Sequence, residues 1–245
     1  MSKKKVIYSL IATFLLNSCI SQLQQTNNSL NNKNIKILSS YIKEKKNKKT
    51  INFFSTLKNE FTLSQSYKKI LILKIEAEYN NQLYDSVLLS TNEFIYKFPI
   101  DKNIDFVYYS KASATLEKYL DSKKDIENIK IAINQFKNFI RIYSKNKYIN
   151  IIKIKLEYAN NIIDSKNISI GRFFCNIENL ISAIIYFINI VDRCNSSLFL
   201  PEAYFMISYI YGLLDLNNLS NKYIQQLKFN YPASQWSKKI EKLVY

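Results

Sequence analysis

The scarcity of glycine and proline is the feature of this chain that most restricts its fold. Only two glycines and three prolines occur in 245 residues. Sandwiches, barrels and doubly wound sheets need many tight turns, and such turns depend on these two residues. Because 47% of the residues are apolar, the chain can still bury a substantial core. We therefore predict an all-α protein.

The residues available for catalysis are also few. The chain has no histidine, the commonest general base and a frequent metal ligand. Two possible acid–base pairs are Asp192 with Glu202 and Glu76 with Glu78, but residues two apart on a helix do not face each other. We predict no catalytic residue, no cofactor and no metal ion. An enzyme or a carbohydrate-binding protein is the alternative from another functional class.

The net charge of +16 comes from 35 basic and 19 acidic residues. Only three of the basic residues are arginines, whereas surfaces that read phosphate favour the bidentate fork of arginine. Lysine, asparagine, isoleucine and tyrosine all have AT-rich codons and all are abundant here. We attribute the charge to base composition and predict no nucleic-acid partner.

The first nineteen residues have the pattern of a secretion signal. Three lysines at positions 3–5 precede the apolar stretch Val6–Leu16, which is about half the length that a membrane-spanning helix needs. The stretch ends in Leu16-Asn17-Ser18-Cys19, which resembles the lipobox of bacterial lipoproteins. This resemblance implies a lipoprotein signal peptide at 1–18, cleavage before Cys19 and lipid on that cysteine.

The residues after Cys19 indicate a tether and a location. Positions 19–33 are rich in asparagine, glutamine and serine, which is typical of a flexible linker between an anchor and a domain. Lipoproteins that are retained in the inner membrane typically have aspartate directly after the lipidated cysteine. This chain has Ile20 at that position. We expect a lipid anchor at the periplasmic face of the outer membrane and a folded domain at 34–245.

The two remaining cysteines are predicted to be unbridged. Cys175 and Cys194 flank the largely apolar run Ile177–Val191. If that run is one helix, the two sulfurs lie about 30 Å apart, far beyond the reach of a disulfide. We expect both to be small core residues.

Five short loops, each preceded by an aromatic residue or once by cysteine, serve as anchors for an internal repeat: Phe61-Thr62, Phe98-Pro99, Tyr143-Ser144, Cys194-Asn195 and Tyr231-Pro232. Counted back from the second residue of each anchor, the twelfth position is small or modest in size: Thr50, Val87, Ala132, Ala183 and Ser220. The positions eight, five and one back are apolar in every copy except for Thr91. A small residue there would let the second helix of a hairpin approach the first.

This pattern resembles the tetratricopeptide repeat, a unit of about 34 residues made of helix, turn and helix. In the fifth copy the first helix also matches: Tyr204, Ile207, Ser208 and Tyr211 take the aromatic, leucine, small and tyrosine positions. The anchors are unevenly spaced, with extra turns expected around 103–125 and 145–171. We predict a solenoid of about five irregular tetratricopeptide-type helical hairpins.

The order of lipobox, tether and five repeats resembles the outer-membrane protein assembly lipoproteins of the BamD (YfiO) family. The passage Phe94–Pro99 followed by Asn103-Ile104-Asp105-Phe106-Val107-Tyr108-Tyr109 is similar to the passage between that family's second and third repeats. The stretch from Ala132 to Ser144 resembles the end of the family's third repeat.

The resemblance implies a non-catalytic scaffold subunit of the machinery that assembles outer-membrane β-barrels. Such a subunit would bind the periplasmic domains of the central barrel subunit through its later repeats, and unfolded barrel segments through its early repeats. The alternative within the same structural class is a periplasmic tetratricopeptide lipoprotein that scaffolds a cell-wall or envelope-spanning complex.

The first helices of tetratricopeptide hairpins line the concave face, and this places a substrate site on the first two copies. The expected site residues are Ile35, Ser39, Ile42, Lys43, Lys69, Ile72, Glu76 and Tyr79. Ile42 and Ile72 could equally belong to the core. Ile42, Ile72 and Tyr79 would contact apolar side chains of the substrate, and Lys43 or Lys69 would meet a terminal carboxylate.

The lipobox predicts that Cys19→Ala blocks processing of the precursor, because signal cleavage requires a lipid-modified cysteine. Metabolic labelling with a palmitate analogue should mark the wild-type chain and leave the variant unmarked. A wild-type chain that stays unlabelled and keeps the full precursor mass would contradict the lipoprotein interpretation.

Overall fold

The computed structural model describes residues 36, 37, 40, 65–122, 126–193 and 197–241. Within these ranges the secondary structure is helical, without strands. The helices are α1 Gln65–Asn80, α2 Tyr84–Lys97, α3 Ile104–Ser122, α4 Ile126–Ile142, α5 Ile149–Asn176, α6 Leu180–Arg193, α7 Leu200–Leu213, α8 Asn217–Asn230 and α9 Gln235–Glu241. The signal peptide, Cys19, the tether, the first anchor and Cys194 lie outside the described residues.

The chain divides into two compact units, with the boundary between Lys118 and Tyr119. In the first unit α2 packs on α1, and the first turns of α3 join their core. In the second unit each helix from α4 to α8 packs on the next, and the short α9 packs on α7 and α8. Within each unit this succession of helical hairpins is the tetratricopeptide-type arrangement that the repeat predicts.

Three hairpins turn with the same backbone geometry. Residues Gln82, Glu178 and Asp215 each stand seventeen residues before the second anchor residue and have φ of 60°, 60° and 57°. The next amide in each turn donates to a carbonyl five residues back, as Leu83 N does to Glu78 O at 3.0 Å. This is the Schellman ending of a helix, in which glycine usually takes the left-handed position. The scarcity of glycine therefore did not exclude left-handed turns, because glutamine, glutamate and aspartate adopt them here.

The predicted register of the second helices is confirmed in every copy that the structure describes. The residues twelve positions before the second anchor residue are buried: Val87, Ala132, Ala183 and Ser220. The residues five positions before it are also buried: Phe94, Phe139, Ile190 and Leu227. Eight before the anchor, Thr91, Phe136 and Phe187 are fully buried and Ile224 is half-buried. The second helices α2, α4, α6 and α8 end at or just before their anchors.

The first helices supply the matching small residue. A Cβ on Gly171 of α5 would lie 2.6 Å from Cζ of Phe187 on α6, so only glycine permits this approach. At the equivalent place in the last hairpin, the hydroxyl of Ser220 donates to the carbonyl oxygen of Ser208 at 2.8 Å. Gly171 and Ser208 both stand twenty-four residues before the second anchor residue. The helices of a hairpin thus meet where the repeat predicts close contact.

The extra length in the middle of the chain lies mainly in one helix. Helix α5 has 28 residues, twice the length of α6, and it packs against both α4 and α6. The apolar run Ile177–Val191 is helical only from Leu180, because α5 ends at Asn176 and a turn precedes Leu180.

Cys175, in the last turn of α5, is a free, half-buried thiol that packs against the core of the second unit. Burial raises its pKa, which keeps the thiol protonated and unreactive. Its placement agrees with the small core residue that we expected.

Two arginines hold carboxylates that the second unit buries. Arg193 of α6 forms an ion pair with Asp164 of α5, whose side chain is fully buried. Arg172 of α5 donates from Nε to Glu202 of α7 at 2.6 Å, and the Glu202 side chain is 8% exposed. Removing one partner of such a pair leaves a buried charge without compensation, so these pairs specify how α5, α6 and α7 meet.

In the first unit the buried carboxylate is Glu78 of α1. It is 6% exposed, and burial raises its pKa above the ordinary value of 4.5. Its contacts with the Ser90 hydroxyl and with Lys74 act in the opposite direction but do not cancel burial. Lys74 Nζ lies 3.6 Å from Oε1, one helical turn away on a half-exposed face.

The register predicts that Ala132→Phe and Ala183→Phe overpack their hairpins and cost about 1–3 kcal/mol. Phe136→Ala and Phe187→Ala should leave cavities and cost about 3–5 kcal/mol. Thermal melts measure both effects, with the exposed Asn134→Ala as the control. Four core variants that melt like the wild type would refute the register.

The buried Glu78 predicts that Glu78→Gln raises the melting temperature at neutral pH, because a neutral amide escapes the cost of burying a charge. The raised pKa means that the folded chain binds a proton at higher pH than the unfolded chain does. The wild type therefore loses this penalty as the pH falls through the folded-state pKa toward 4.5, and the two melting temperatures should converge. Glu76→Gln, on the exposed side of the same helix, should change little at either pH. A lower melting temperature for Glu78→Gln at neutral pH would contradict this prediction.

Candidate functional site

A shared core holds α1 and α3 side by side in the first unit. Its members come from α1, α2 and α3 and are almost completely buried: Leu71, Ile75, Val87, Phe94, Val107 and Ala114. Tyr79 of α1 and Phe106 of α3 also pack against this cluster, so the two helices are held at a defined spacing.

Helices α1 and α3 line a groove of about 210 Å³, which we call the α1–α3 groove. It is lined by Glu76, Tyr79 and Asn80 of α1 and by Phe106, Tyr109 and Ser110 of α3. Tyr79 also packs edge-on against Tyr84 at the start of α2, with ring centroids 6.0 Å apart. Both walls therefore carry aromatic rings, and polar groups lie beside them.

The predicted site residues on α1 divide between the groove and its surroundings. Glu76 and Tyr79 line the groove, the first exposed and the second half-buried. Lys69 is exposed, seven residues before Glu76 and about 10 Å along the helix. Ile72 is half-buried and packs against the core cluster. The other predicted residues, Ile35, Ser39, Ile42 and Lys43, lie outside the described residues.

Sequence reasoning missed the wall that α3 supplies. Phe106, Tyr109 and Ser110 follow the helical spacing of three and four residues, and two of them fall within the passage that carries the family resemblance. The site was placed on the first two copies alone, whereas a groove between hairpins needs a helix from each neighbour. The repeat register would not have found these residues, because they stand 34 to 38 residues before Ser144, whereas the predicted site residues stand 19 to 30 residues before their own anchors.

The loop between α2 and α3 fixes where α3 begins. The amide of Asn103 donates to Oδ1 of Asp101 at 3.0 Å, and this hydrogen bond lowers the pKa of Asp101. Lys68 of α1 lies 3.3 Å from the other carboxylate oxygen and also sits 5.1 Å from the centre of the Phe98 ring. The ion pair between Lys68 and Asp101 thus ties the loop to α1. The two walls of the groove are therefore joined by this ion pair as well as by the shared core.

The groove carries groups that can bind an extended segment. Aromatic walls accept flat or apolar side chains, while Glu76, Asn80 and Ser110 can hydrogen-bond to the backbone of an extended segment. Of the carboxylates considered for acid–base chemistry, Glu202 is engaged by Arg172 and Asp192 is exposed on α6.

Across the described ranges, no group of three or more metal-ligating side chains of the histidine, cysteine, aspartate or glutamate type is found. None of the helices in those ranges is both long and apolar enough to span a bilayer.

The chain is similar to proteins from several bacteria that share one name. Proteins named outer membrane protein assembly factor BamD are 20% identical over 186 residues in Caulobacter vibrioides and 27% identical over 161 residues in Rickettsia prowazekii. The matches cover 76% and 66% of this chain, and 61% and 64% of the two relatives. A protein of the same name in Buchnera aphidicola is 32% identical over 139 residues, covering 52% of this chain and 56% of the relative. The chain thus spans less than two thirds of the length of these relatives.

A family model described as YfiO, outer membrane lipoprotein, matches residues 36–227. The match covers well over half of the chain and includes every helix from α1 to α7 and most of α8. By this match the chain belongs to the YfiO family of outer membrane lipoproteins.

Proposed function

We propose that the protein is a lipid-anchored, non-catalytic scaffold subunit of the machinery that assembles β-barrels in the outer membrane. It would bind the periplasmic domains of the central barrel subunit and unfolded segments of barrel substrates, and would sit at the periplasmic face of the outer membrane. Support comes from the family match and from relatives that are named as assembly factors. The observation that carries the substrate part of the proposal is the α1–α3 groove.

The groove matches what an unfolded barrel segment offers. Barrel strands alternate apolar and polar side chains, and their apolar bands are flanked by aromatic residues. Tyr79, Phe106 and Tyr109 can receive one aromatic or apolar side chain of such a segment. An aromatic side chain is the best fit, because paired rings gain about 0.5–1.5 kcal/mol beyond the burial of their area.

Charge would then orient the segment. The groove itself carries the carboxylate of Glu76, which would repel a terminal carboxylate and attract backbone amides. The exposed Lys69 lies about 10 Å away along α1, a distance that roughly three extended residues span. We therefore place the aromatic side chain between α1 and α3, and the terminal carboxylate toward Lys69.

Binding of a short synthetic peptide that ends in phenylalanine with a free carboxylate tests this placement, with affinity measured by fluorescence anisotropy. Tyr79→Ala and Phe106→Ala should each weaken binding about tenfold or more, which corresponds to about 1.4 kcal/mol. Tyr96→Ala is the matched control, because Tyr96 is 87% exposed on α2 and should not affect affinity. Lys69→Gln should weaken binding of the free acid but not that of the same peptide with an amidated end.

A photocrosslinker at Tyr79 or Tyr109 should also capture the ends of barrel chains in cells, whereas one at Lys238 on α9 should not. Equal affinity of all the variants, or equal capture at all three positions, would reject the groove as the substrate site. Co-purification of cell-wall proteins in place of the barrel machinery would instead favour the envelope-scaffold alternative.

A further inference from the structure

The turn between α2 and α3 carries two large apolar side chains that are almost fully exposed. Ile100, within the turn, is 96% exposed, and Tyr96, in the last turn of α2, is 87% exposed. These fractions are higher than those of the other large apolar residues in the described ranges. We call Tyr96 and Ile100 the α2–α3 tip. Because the tip makes so little contact with its own chain, the fold does not account for its apolar character.

The repeat does not require an apolar residue in this turn either. The amide of Asp101 donates to the carbonyl oxygen of Phe98 at 3.2 Å, which places Ile100 at a central position of a β-turn. The same hydrogen bond closes the turns that follow α4 and α8. There the residues equivalent to Ile100 are Lys145 and Ala233. Central turn positions favour glycine, proline and short polar residues, so an exposed isoleucine is not explained by the turn.

The turn is held firmly, so the tip is presented in a fixed position. The ring of Phe98 packs edge-on against that of Phe94, with centroids 5.4 Å apart, and Phe98 also packs on the core of the first unit. Asp101 accepts a hydrogen bond from the amide of Asn103 and pairs with Lys68 of α1. A tip that is already ordered loses little conformational entropy when another surface covers it.

The carboxylates at this end of the hairpin are engaged within the fold, whereas a lysine is exposed. Glu93 accepts a hydrogen bond from Lys97 Nζ at 2.8 Å. The side chain of Asp101 is only 12% exposed, and Asp105 accepts from a backbone amide of its own helix at 2.8 Å. Lys102, two residues after Ile100, is exposed. The exposed charge nearest to the tip along the chain is therefore positive.

We infer that the α2–α3 tip inserts into the headgroup region of a phospholipid surface. Ile100 would reach the acyl boundary, Tyr96 would lie at the level of the headgroups, and Lys102 would meet their phosphates. Tyrosine is enriched at membrane–water interfaces, and lysines accompany the apolar residues of segments that lie in an interface. The occupant is thus a lipid surface that carries phosphate.

The place of the tip along the chain supports this occupant. The chain belongs to a family of outer membrane lipoproteins, and the first unit is the part of the described chain that follows the proposed tether. The fifteen tether residues span at most about 50 Å, so an anchored chain would meet the surface at a high effective concentration. The tip would add a second membrane contact to the lipid anchor of the proposed function.

Other occupants fit less well. A stable protein interface buries about 800 Å² on each partner, whereas the tip offers two side chains at one turn. A second copy would place two chains of charge +16 against each other, and that repulsion opposes association. A lipid contact along the whole of α2, through the exposed Leu89, would also desolvate the exposed ion pair between Asp85 and Lys118.

A photocrosslinker at Ile100, in the full chain reconstituted with vesicles of phosphatidylethanolamine and phosphatidylglycerol, tests the inference. The matched position is Leu89, which is 73% exposed on α2 and lies about 10 Å before Tyr96 along the helix. We expect a phospholipid adduct at Ile100, identified by mass spectrometry, that is at least tenfold stronger than the adduct at Leu89.

Two variants separate the apolar from the charged part of the contact. Tyr96→Asn should weaken the Ile100 adduct, whereas the matched Leu89→Asn should leave it unchanged. Lys102→Gln should weaken the adduct about fivefold, because one lysine near an anionic surface contributes about 1 kcal/mol. In vesicles of phosphatidylcholine alone, which have no net charge, Lys102→Gln should have little effect. Thermal melts check that all three variants are folded.

A protein adduct at Ile100 in place of a lipid adduct would overturn the inference. Equal lipid yields at Ile100 and Leu89, or none at either position, would also overturn it, as would an Ile100 adduct that neither Tyr96→Asn nor Lys102→Gln weakens. Lipid labelling of Cys19 reports the anchor, and peptide affinity reports the α1–α3 groove. Failure of either is therefore distinguishable from failure of the tip to meet lipid.

Discussion

The close approach of the two helices within a hairpin is the contact on which the rest of this structure depends. Gly171 leaves room for the ring of Phe187, and Ser220 donates directly to the backbone of Ser208. Gly171 and Ser208 share one repeat position, whereas their partners Phe187 and Ser220 stand eight and twelve residues before the second anchor residue. Once the second helix is seated this closely, its aromatic and aliphatic residues reach the core, and one face of each first helix is left free to form a groove. Enlarging the small residue would separate the helices and disturb every later contact.

A chain with two glycines forms this architecture by using other residues where glycine is usual. Glutamine, glutamate and aspartate take the left-handed position in three turns, a conformation that costs a residue with a Cβ about 1–2 kcal/mol. Buried carboxylates add a further cost, which is offset in the second unit by Arg193 and Arg172. Arginine is rare in this chain, and two of its three occurrences hold buried acids. That use fits a guanidinium, whose planar fork can bind a carboxylate through two donors.

The α1–α3 groove is concave, aromatic and built by two neighbouring first helices, so it suits a single extended segment.

The sequence by itself determined the helical class, the repeat register and the family. Each of these depends on local spacing: small and aromatic residues at fixed distances from an anchor decide which side of a helix is buried, and Ala132, Phe136, Ala183 and Phe187 lie where that spacing put them. The sequence also predicted Glu76 and Tyr79 as site residues, and both line the α1–α3 groove. Only the tertiary structure joined them to Phe106, Tyr109 and Ser110, and it placed Ile72 against the core. It also showed that α5 is 28 residues long and packs against both α4 and α6. The physical reason is that a groove and an exposed face are properties of two or more packed helices, whereas periodicity along one chain reports only the side that each helix buries.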